Sequence, residues 1–234
     1  MSITSDKRKT VVSSLIPPGA RRVLDVGCGP IFPDYPFLGD AEQVVCIDWN
    51  VRVVGDIPKR IEVIEGNFLQ IELPQPSFDV IICSDVFEHI PLEQETAFAQ
   101  KCIAHLADGG ALIVSTPHAG RYARLDPYQI KPMVHRWLHR LGLYSRLHNG
   151  SCDIRKGHKH YTKAELAEHF VPLRITGAET WGYLYDPLLS WADAIAGKLG
   201  GFPMRQTLQT RCAAEYAHDY GDRAFNIALR LQRP

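Results

Sequence analysis

A short apolar strand runs into a glycine turn in the stretch Val23-Leu24-Asp25-Val26-Gly27-Cys28-Gly29-Pro30. The same pattern, an apolar run closed by an acidic or turn-forming residue, recurs at 43–48, 60–65, 78–85 and 111–117. Most of these runs are separated by segments that are long enough to cross over the sheet from one strand to the next. They therefore predict a parallel sheet whose two faces are covered by helices.

The remaining elements follow from hydrophobic periodicity and from helix-start signals. They comprise helices at 93–106, 131–147, 162–170 and 188–199, and strands at 173–181 and 224–231. Asp108-Gly109-Gly110 is expected to break the chain between the first of these helices and the strand at 111–115. The sequence thus predicts one α/β domain over residues 1–234, with helical insertions at 118–160 and 184–222.

The glycine turn is compatible with two kinds of ligand. A dinucleotide site needs a third small residue to bring helix and strand together, and here Phe32 occupies that position. Pro30 has no backbone N–H to offer a phosphate, and Asp25 would repel an anion. These residues disfavour a pyrophosphate and favour a ligand with a cationic group beside Asp25.

Polar residues end the next two strands as well. Asp48 can accept hydrogen bonds from the vicinal hydroxyls of a ribose, although Asp is also a common turn residue. Asn67 can donate to and accept from an adenine edge, and Trp49 and Phe68 can supply apolar walls. An ammonium partner, a ribose partner and an adenine partner at successive strand ends together fit S-adenosylmethionine, which carries no phosphate.

Composition narrows the class of protein. The 234 residues are 45% hydrophobic and 22% charged, which is typical of a globular chain. Lys plus Arg equals Asp plus Glu at 26 each, so overall charge gives no reason to expect nucleic-acid binding. We find no apolar run of roughly 20 residues, no secretory signal and no C-x-x-C pair among the six cysteines. These features predict a soluble cytoplasmic protein with reduced thiols.

Three motifs in order resemble those of the class I S-adenosylmethionine-dependent methyltransferases. Val23–Pro30 resembles their glycine-rich first motif, residues 78–90 their fourth-strand motif, and residues 106–117 their fifth-strand block. The segment His158-Lys159-His160-Tyr161-Thr162-Lys163-Ala164-Glu165-Leu166 is similar to one in the subfamily of ubiquinone-biosynthesis methyltransferases. The resemblance covers residues 20–118 well and 157–180 loosely.

This resemblance implies a Rossmann-like seven-stranded sheet whose last strand is antiparallel. It places Asp25, Gly27, Cys28 and Gly29 at the methionine end of the cofactor, with Ser84 beside them. Asp48 would then hold the ribose and Asn67 the adenine, with Trp49 and Phe68 as the apolar walls inferred above from the residues. The sequence departs from the family at Ile31, where many members have glycine, and at Asn67, where many have Asp. Pro33 and Pro36 also interrupt the helix expected after the first motif.

Catalytic candidates follow from the chemistry of methyl transfer, which needs alignment of the acceptor and, for a hydroxyl, a general base. His89 after the fourth strand and His118 after the fifth are candidates, or they only shape the pocket. His160 and Tyr161 are candidates through the family segment. The spacing of His158 and His160 suits a metal, but no nearby carboxylate or thiol pattern supports one, so we expect no metal site.

Charge is uneven along the chain. Residues 34–95 hold thirteen acids and three bases, whereas residues 121–160 hold nine bases, two acids and five histidines. Two solvated faces that neutralise each other would explain this, but the basic segment also suits an anionic acceptor. The stripe of Val134, Trp137, Leu138, Leu141 and Tyr144 either packs against the core or lies on a membrane surface.

Together these features predict an S-adenosylmethionine-dependent methyltransferase that acts on a small-molecule, lipid-linked or glycan-like acceptor, with oxygen favoured as the methylated atom. The alternatives are N- or C-methylation of a metabolite or protein, and a cofactor-binding module without chemistry. RNA is disfavoured, since the basic segment has little aromatic interleaving. Peripheral contact with a membrane stays open.

Overall fold

A computed structural model describes residues 3–73, 78–143, 158–199 and 204–234. The strands are β1 (Arg22–Val26), β2 (Pro30–Ile31), β3 (Gln43–Asp48), β4 (Arg52–Val53), β5 (Ile61–Glu65), β6 (Phe78–Ser84), β7 (Leu106–Pro117), β8 (Arg174–Trp181) and β9 (Asn226–Gln232). The α-helices are α1 (Ile3–Ser14), α2 (Glu95–His105), α3 (Pro127–Arg140), α4 (Lys163–Glu168), α5 (Tyr185–Leu199) and α6 (Arg205–Glu215).

Seven strands form one sheet in the order β5-β3-β1-β6-β7-β9-β8. β1 lies between β3 and β6 and is parallel to both, with Val23 paired to Val44 on one side and to Val80 on the other. The chain winds outward in one direction through β3 and β5 and in the other through β6 and β7. The carboxyl end of β1 therefore lies where the winding changes direction, which is where open α/β sheets bind ligands.

The last strand of the chain runs antiparallel to its neighbours. Phe225 N–H donates to Gly182 O, whereas the Arg230 side chain donates a hydrogen bond to Thr176 O. Residue numbers therefore rise in opposite directions along β8 and β9. β7 and β9 have the same relation, since His118 N–H just after β7 donates to Phe225 O, whereas Gly109 O of β7 accepts from the Gln232 side chain. The sequence-based prediction of a Rossmann-like seven-stranded sheet, mostly parallel with an antiparallel last strand, is confirmed.

Apolar strands explain why the centre of the sheet is buried on both faces. Val80, Ile81, Ile82 and Cys83 of β6 have no exposed surface, and Ala111–Val114 of β7 are equally buried. Such runs without polar alternation are typical of strands covered on both faces. Burial on both faces fixes which residues of neighbouring strands pair, and this pairing sets where the strand ends lie.

The starts of β7 and α3 differ most from the sequence-based predictions. β7 begins at Leu106 and runs through the expected break at 108–110, and its register with β6 shifts between Phe78 and Val80. The glycines therefore produce a bulge inside a strand rather than a loop.

The helix expected at 131–147 begins earlier, at Pro127, because Asp126 caps it and proline suits its first turn. It ends at Arg140, followed by Gly142 with φ 71°. Residues 144–147 of that prediction lie outside the described residues.

The apolar stripe of α3 faces solvent in the described structure. Val134 is 45% exposed, Trp137 61% and Leu141 53%, while Leu138 is half-buried. This exposure disfavours packing against the core, one of the two interpretations that the sequence left open. Tyr144, the last member of the stripe, lies outside the described residues.

The chain divides into two compact units. The sheet unit comprises Arg8–Thr116, Lys163–Glu179 and Ala228–Pro234, and the insertion unit comprises Met1–Lys7, Pro117–Thr162 and Thr180–Ile227. The expected insertions at 118–160 and 184–222 both fall within the bounds of the insertion unit. One domain over residues 1–234 stays a prediction.

A buried carboxylate organises the start of α5 in the insertion unit. Glu215 accepts backbone N–H bonds from Tyr183, Leu184, Tyr185 and Asp186 at 2.5–3.3 Å. These are N–H groups at a helix start, which have no partner within the helix. Because Glu215 is at the end of α6, this contact joins α5 to α6.

Candidate functional site

The turn after β1 has a backbone that favours glycine. Gly27 has φ 76° and Gly29 has φ 60°, both in the left-handed region. The N–H groups of Gly27 and Cys28 donate to Ile47 O at 2.7 and 3.3 Å, which ties the turn to the end of β3. A Cβ at Gly27 would overlap the Val86 side chain, whereas one at Gly29 would meet no atom within 4 Å. Gly29 therefore borders open space.

Asp25 is a buried carboxyl group next to this turn. It is 2% exposed, and the Tyr35 hydroxyl donates a hydrogen bond to its Oδ2. Burial raises the pKa of Asp25 to about 7, with a further rise from Asp48, while Tyr35 and Arg8 oppose the shift. The group therefore changes charge near neutral pH, and a cation placed beside it would favour its ionised form.

Asp48 links the ends of three strands. Its Oδ2 accepts the N–H of Gly29 at 3.0 Å and its Oδ1 accepts the N–H of Asn50 at 3.0 Å. Its backbone oxygen accepts the N–H of Gly66, which follows β5. Because a carboxylate has about four acceptor positions, both oxygens keep capacity for a ligand hydroxyl.

The remaining predicted cofactor residues occupy different environments. Asn67 is exposed after β5, and its Oδ1 accepts the Leu69 N–H at 3.0 Å. Trp49 is 70% exposed. Phe68 is buried against Phe98, with ring centroids 5.3 Å apart. The Trp49 side chain is thus open to solvent, whereas that of Phe68 is packed in the interior. The role of both residues as apolar walls of a cofactor site stays a prediction.

A polar cluster at the end of β6 includes residues that sequence reasoning missed. Ser84 Oγ lies 3.0 Å from Ser115 Oγ, and Ser115 donates to Asp85 Oδ1 at 3.2 Å. Asp85 has φ 54° and forms an ion pair with Arg8. The acid directly after the strand was a usable signal for Asp85, but no local pattern marks Arg8 or Tyr35 as part of this site.

The catalytic candidates are divided between the two units. His89 belongs to the sheet unit, where it ends a short 3₁₀ helix and its Nε2 lies 3.9 Å from Glu88 Oε1. In the insertion unit, His118 and Tyr161 pair through an isolated parallel bridge and are both buried. His118 Nδ1 lies 3.2 Å from Ala224 O, to which it is placed to donate. A catalytic role for each of these residues stays a prediction.

The fourth candidate, His160, belongs to a buried cluster with His158 and Asp126 in the insertion unit. Asp126 Oδ2 lies 2.6 Å from His158 Nδ1 and 3.1 Å from His160 Nε2. Although burial alone would raise the pKa of Asp126, hydrogen bonds from both histidines hold it below its usual range. The carboxylate that the local sequence lacked is thus supplied by a residue 32 positions before His158.

Within the described residues, we find no helix with the length and apolar character needed to cross a membrane.

Comparison with known proteins supports the fold. Residues 23–110 match a family model described as a methyltransferase domain. A probable S-adenosylmethionine-dependent methyltransferase of Mycobacterium tuberculosis is 30% identical over 122 residues, covering 49% of this chain and 44% of the relative. A ubiquinone biosynthesis O-methyltransferase of Rhodopseudomonas palustris is 25% identical over 173 residues, covering 71% of this chain and 63% of the relative. The chain therefore spans less than two thirds of the length of these relatives.

The structure of the N-methyltransferase NodS from Bradyrhizobium japonicum, in complex with S-adenosyl-L-homocysteine, aligns with a TM-score of 0.56. It is 12% identical, and the alignment covers 100% of this chain and 89% of that chain, so it bears on the fold alone. Residues 23–110 thus match a methyltransferase domain, and the fold of the chain is the one seen in that methyltransferase structure.

Proposed function

We propose that this chain is an S-adenosylmethionine-dependent methyltransferase that acts on a small-molecule acceptor, at oxygen. The observation that carries the proposal is the arrangement of Asp25, the glycine turn and Asp48 at adjoining ends of β1 and β3. The names of the two relatives support the cofactor, and one of them is an O-methyltransferase. Because that relative is named an O-methyltransferase, we favour oxygen over nitrogen or carbon as the methylated atom.

The residues at the sheet edge fit the proposed cofactor chemically. Asp25 is a buried carboxyl whose pKa of about 7 would fall beside an ammonium group, which makes it a suitable partner for the amino group. Asp48 has acceptor capacity for ribose hydroxyls, and Asn67 has an amide suited to an adenine edge. Gly29 borders open space that a side chain would reduce.

When bound, the cofactor supplies a methyl group already activated by a positively charged sulfur. The residues of this chain then need to orient the acceptor, exclude water and, for a hydroxyl, hold its proton. The proposed base is one of His89, His118, His160 and Tyr161. In neutral His118, donation from Nδ1 to Ala224 O makes Nε2 the basic nitrogen.

The proposed acceptor is anionic, as the +7 balance of residues 121–160 suggests, and a lipid-linked or glycan-like molecule fits that charge. The test uses purified protein, methyl-labelled S-adenosylmethionine and a source-cell extract separated into lipid, polar, protein and nucleic-acid fractions. Label in the lipid or polar fraction above the no-enzyme control supports the proposal. Label in protein or nucleic acid contradicts the acceptor class. Cofactor binding with no label in any fraction favours a binding module without chemistry.

Replacing Asp48 by Ala is expected to weaken S-adenosylmethionine binding by about 10- to 100-fold, since it removes charge-assisted hydrogen bonds of roughly 1.5–3 kcal/mol. Isothermal titration calorimetry measures the change. Asp56→Ala is the matched control, because Asp56 is an exposed acid eight residues further along the same unit. Equal affinities of the Asp48→Ala variant and the wild-type protein would contradict the ribose role.

Contact with an anionic lipid surface is a second function that one observation favours. Trp137 of α3 and Leu141 directly after it are exposed, and the basic residue Arg140 ends the same helix. We expect flotation of the protein with vesicles rich in phosphatidylserine at low salt, and about a tenfold loss of binding for Trp137→Ser. Trp49→Ser, which removes a Trp outside α3 that is even more exposed than Trp137, should bind vesicles normally. Absence of flotation by the wild-type protein would exclude this function.

A further inference from the structure

We infer that Asp126, His158 and His160 form a binding site for a divalent first-row transition-metal ion. The cluster lies wholly within the insertion unit and contributes one carboxylate oxygen and two imidazole nitrogens. Two histidines and one carboxylate form a recurrent ligand set for zinc and for non-haem iron. The inference stands apart from methyl transfer, because it concerns these three side chains alone.

The distances suit a shared ion. The ligand atoms of the three residues all lie within 4.8 Å of one another. Asp126 Oδ2 is 2.6 Å from His158 Nδ1 and 3.1 Å from His160 Nε2. Metal–ligand bonds of about 2.0–2.2 Å in tetrahedral geometry place neighbouring ligand atoms roughly 3.3 Å apart. The Asp126 and His160 atoms are already close to that spacing, whereas the Asp126 and His158 atoms would have to separate by about 0.7 Å to admit an ion.

The partners of the ligands supply the support that metal sites usually have. Asp126 Oδ1 accepts the backbone N–H of Tyr128 at 2.8 Å, which orients the carboxylate. His160 Nδ1 lies 3.2 Å from the side-chain amide of Gln129. Because the oxygen and nitrogen of an amide are assigned from the hydrogen-bond network, Gln129 can turn its oxygen to accept Nδ1–H when Nε2 binds a metal.

The burial of the site and the type of its donor atoms limit which metal ions it would bind. Asp126 is 2% exposed and His158 7%, so a charge placed here is shielded from bulk water. Imidazole nitrogens favour zinc, copper, iron and nickel over magnesium and calcium, which prefer oxygen ligands. Three protein ligands also leave coordination positions for water or for an oxygen atom of a bound molecule.

The competing arrangement is a metal-free one, in which Asp126 simply accepts hydrogen bonds from both imidazoles. Metal binding at those nitrogens would move the proton of each neutral imidazole to its other ring nitrogen, so the two arrangements differ in metal content and in imidazole tautomer. The test uses the untagged full chain, stripped with a chelator, dialysed and titrated with Zn²⁺ alone. Bound zinc is measured by elemental analysis, and affinity by calorimetry.

We expect one Zn²⁺ per wild-type chain, and at least a 100-fold loss of affinity for Asp126→Asn and for His160→Gln. His218→Gln is the control, since His218 is an exposed histidine of the same unit whose Nδ1 lies near Ala214 O. That variant should bind zinc normally. No zinc on the wild-type protein, or undiminished zinc on either ligand variant, would overturn the inference.

Gln129→Leu keeps the test decisive if a ligand variant fails to fold. Gln129 is half-buried and contributes no ligand, so this variant should fold and bind Zn²⁺ about tenfold more weakly. Circular dichroism verifies folding of every variant. Zinc should also raise the thermal midpoint of the wild-type protein and not that of His160→Gln. A midpoint raised equally in both proteins would place the ion elsewhere and overturn the inference.

Discussion

Gly27→Ala is expected to weaken binding of S-adenosylmethionine by at least about 100-fold and to abolish methyl transfer. The alanine Cβ would overlap the Val86 side chain, and φ 76° is unfavourable for any L-residue with a side chain. The turn would have to move, which would displace the N–H that Gly27 donates to Ile47 O. We expect the free energy of unfolding to fall by about 3 kcal/mol, from strain and overpacking together.

Calorimetry with S-adenosyl-L-homocysteine and urea unfolding measure the two effects. Gly109→Ala is a matched control, because Gly109 has φ 74° and a Cβ there would meet no atom within 4 Å. It should lose about 1 kcal/mol through backbone strain alone and bind the cofactor normally. Val86→Ala combined with Gly27→Ala should regain part of the stability, since the overlap is reduced. Normal cofactor affinity in Gly27→Ala would refute this account of the turn.

Affinity for S-adenosylmethionine is expected to rise steeply with pH up to neutrality and then to level off. Asp25 must be ionised to pair with the ammonium group, and burial raises its pKa to about 7 in the ligand-free protein. Each unit of pH below that value removes about tenfold of the competent form, so affinity should rise roughly 50-fold between pH 5 and 7. Calorimetry at a series of pH values measures this slope.

The stability of the ligand-free protein should show the opposite trend. The folded pKa of Asp25, about 7, exceeds the unfolded value of about 3.9. Stability contributed by the bound proton is therefore complete below about pH 4 and is lost as pH rises towards 7. Asp25→Asn removes this dependence and binds the cofactor weakly at every pH. A pH slope of affinity that persists in Asp25→Asn would assign the titration to another group.

The fold could be predicted because the strands are defined by neighbours in the chain. β1 and β3 were both predicted, β3 with the bounds that the structure has, since each is an apolar run closed by an acid or a glycine turn. Apolar runs separated by crossover segments also predicted a parallel sheet, and parallel strands bring their carboxyl ends to one edge of the sheet. The positions of Asp25 and Asp48 at adjoining strand ends follow from the same reasoning.

α1 and α6 were missed because their sequences carry little hydrophobic periodicity. Only Val11 and Val12 of α1 are buried, and α6 buries Cys212 together with the carboxylate of Glu215. The bulge in β7 was missed for a related reason. A run of Asp and two glycines predicts a turn, but the pairing of both sides of that run with β6 is a long-range effect.

The sequence alone determined three things: the class of fold, the edge of the sheet proposed to bind the cofactor, and the glycines of the turn. Each of these depends on residues that are close together in the chain. Only the tertiary structure brings Arg8 to Asp85, 77 residues away, and Asp126 to His158, 32 residues away. It also leaves the Trp137 stripe exposed. Contacts between distant residues depend on how the elements pack, and the charge and metal-binding capacity of a buried group depend on those contacts.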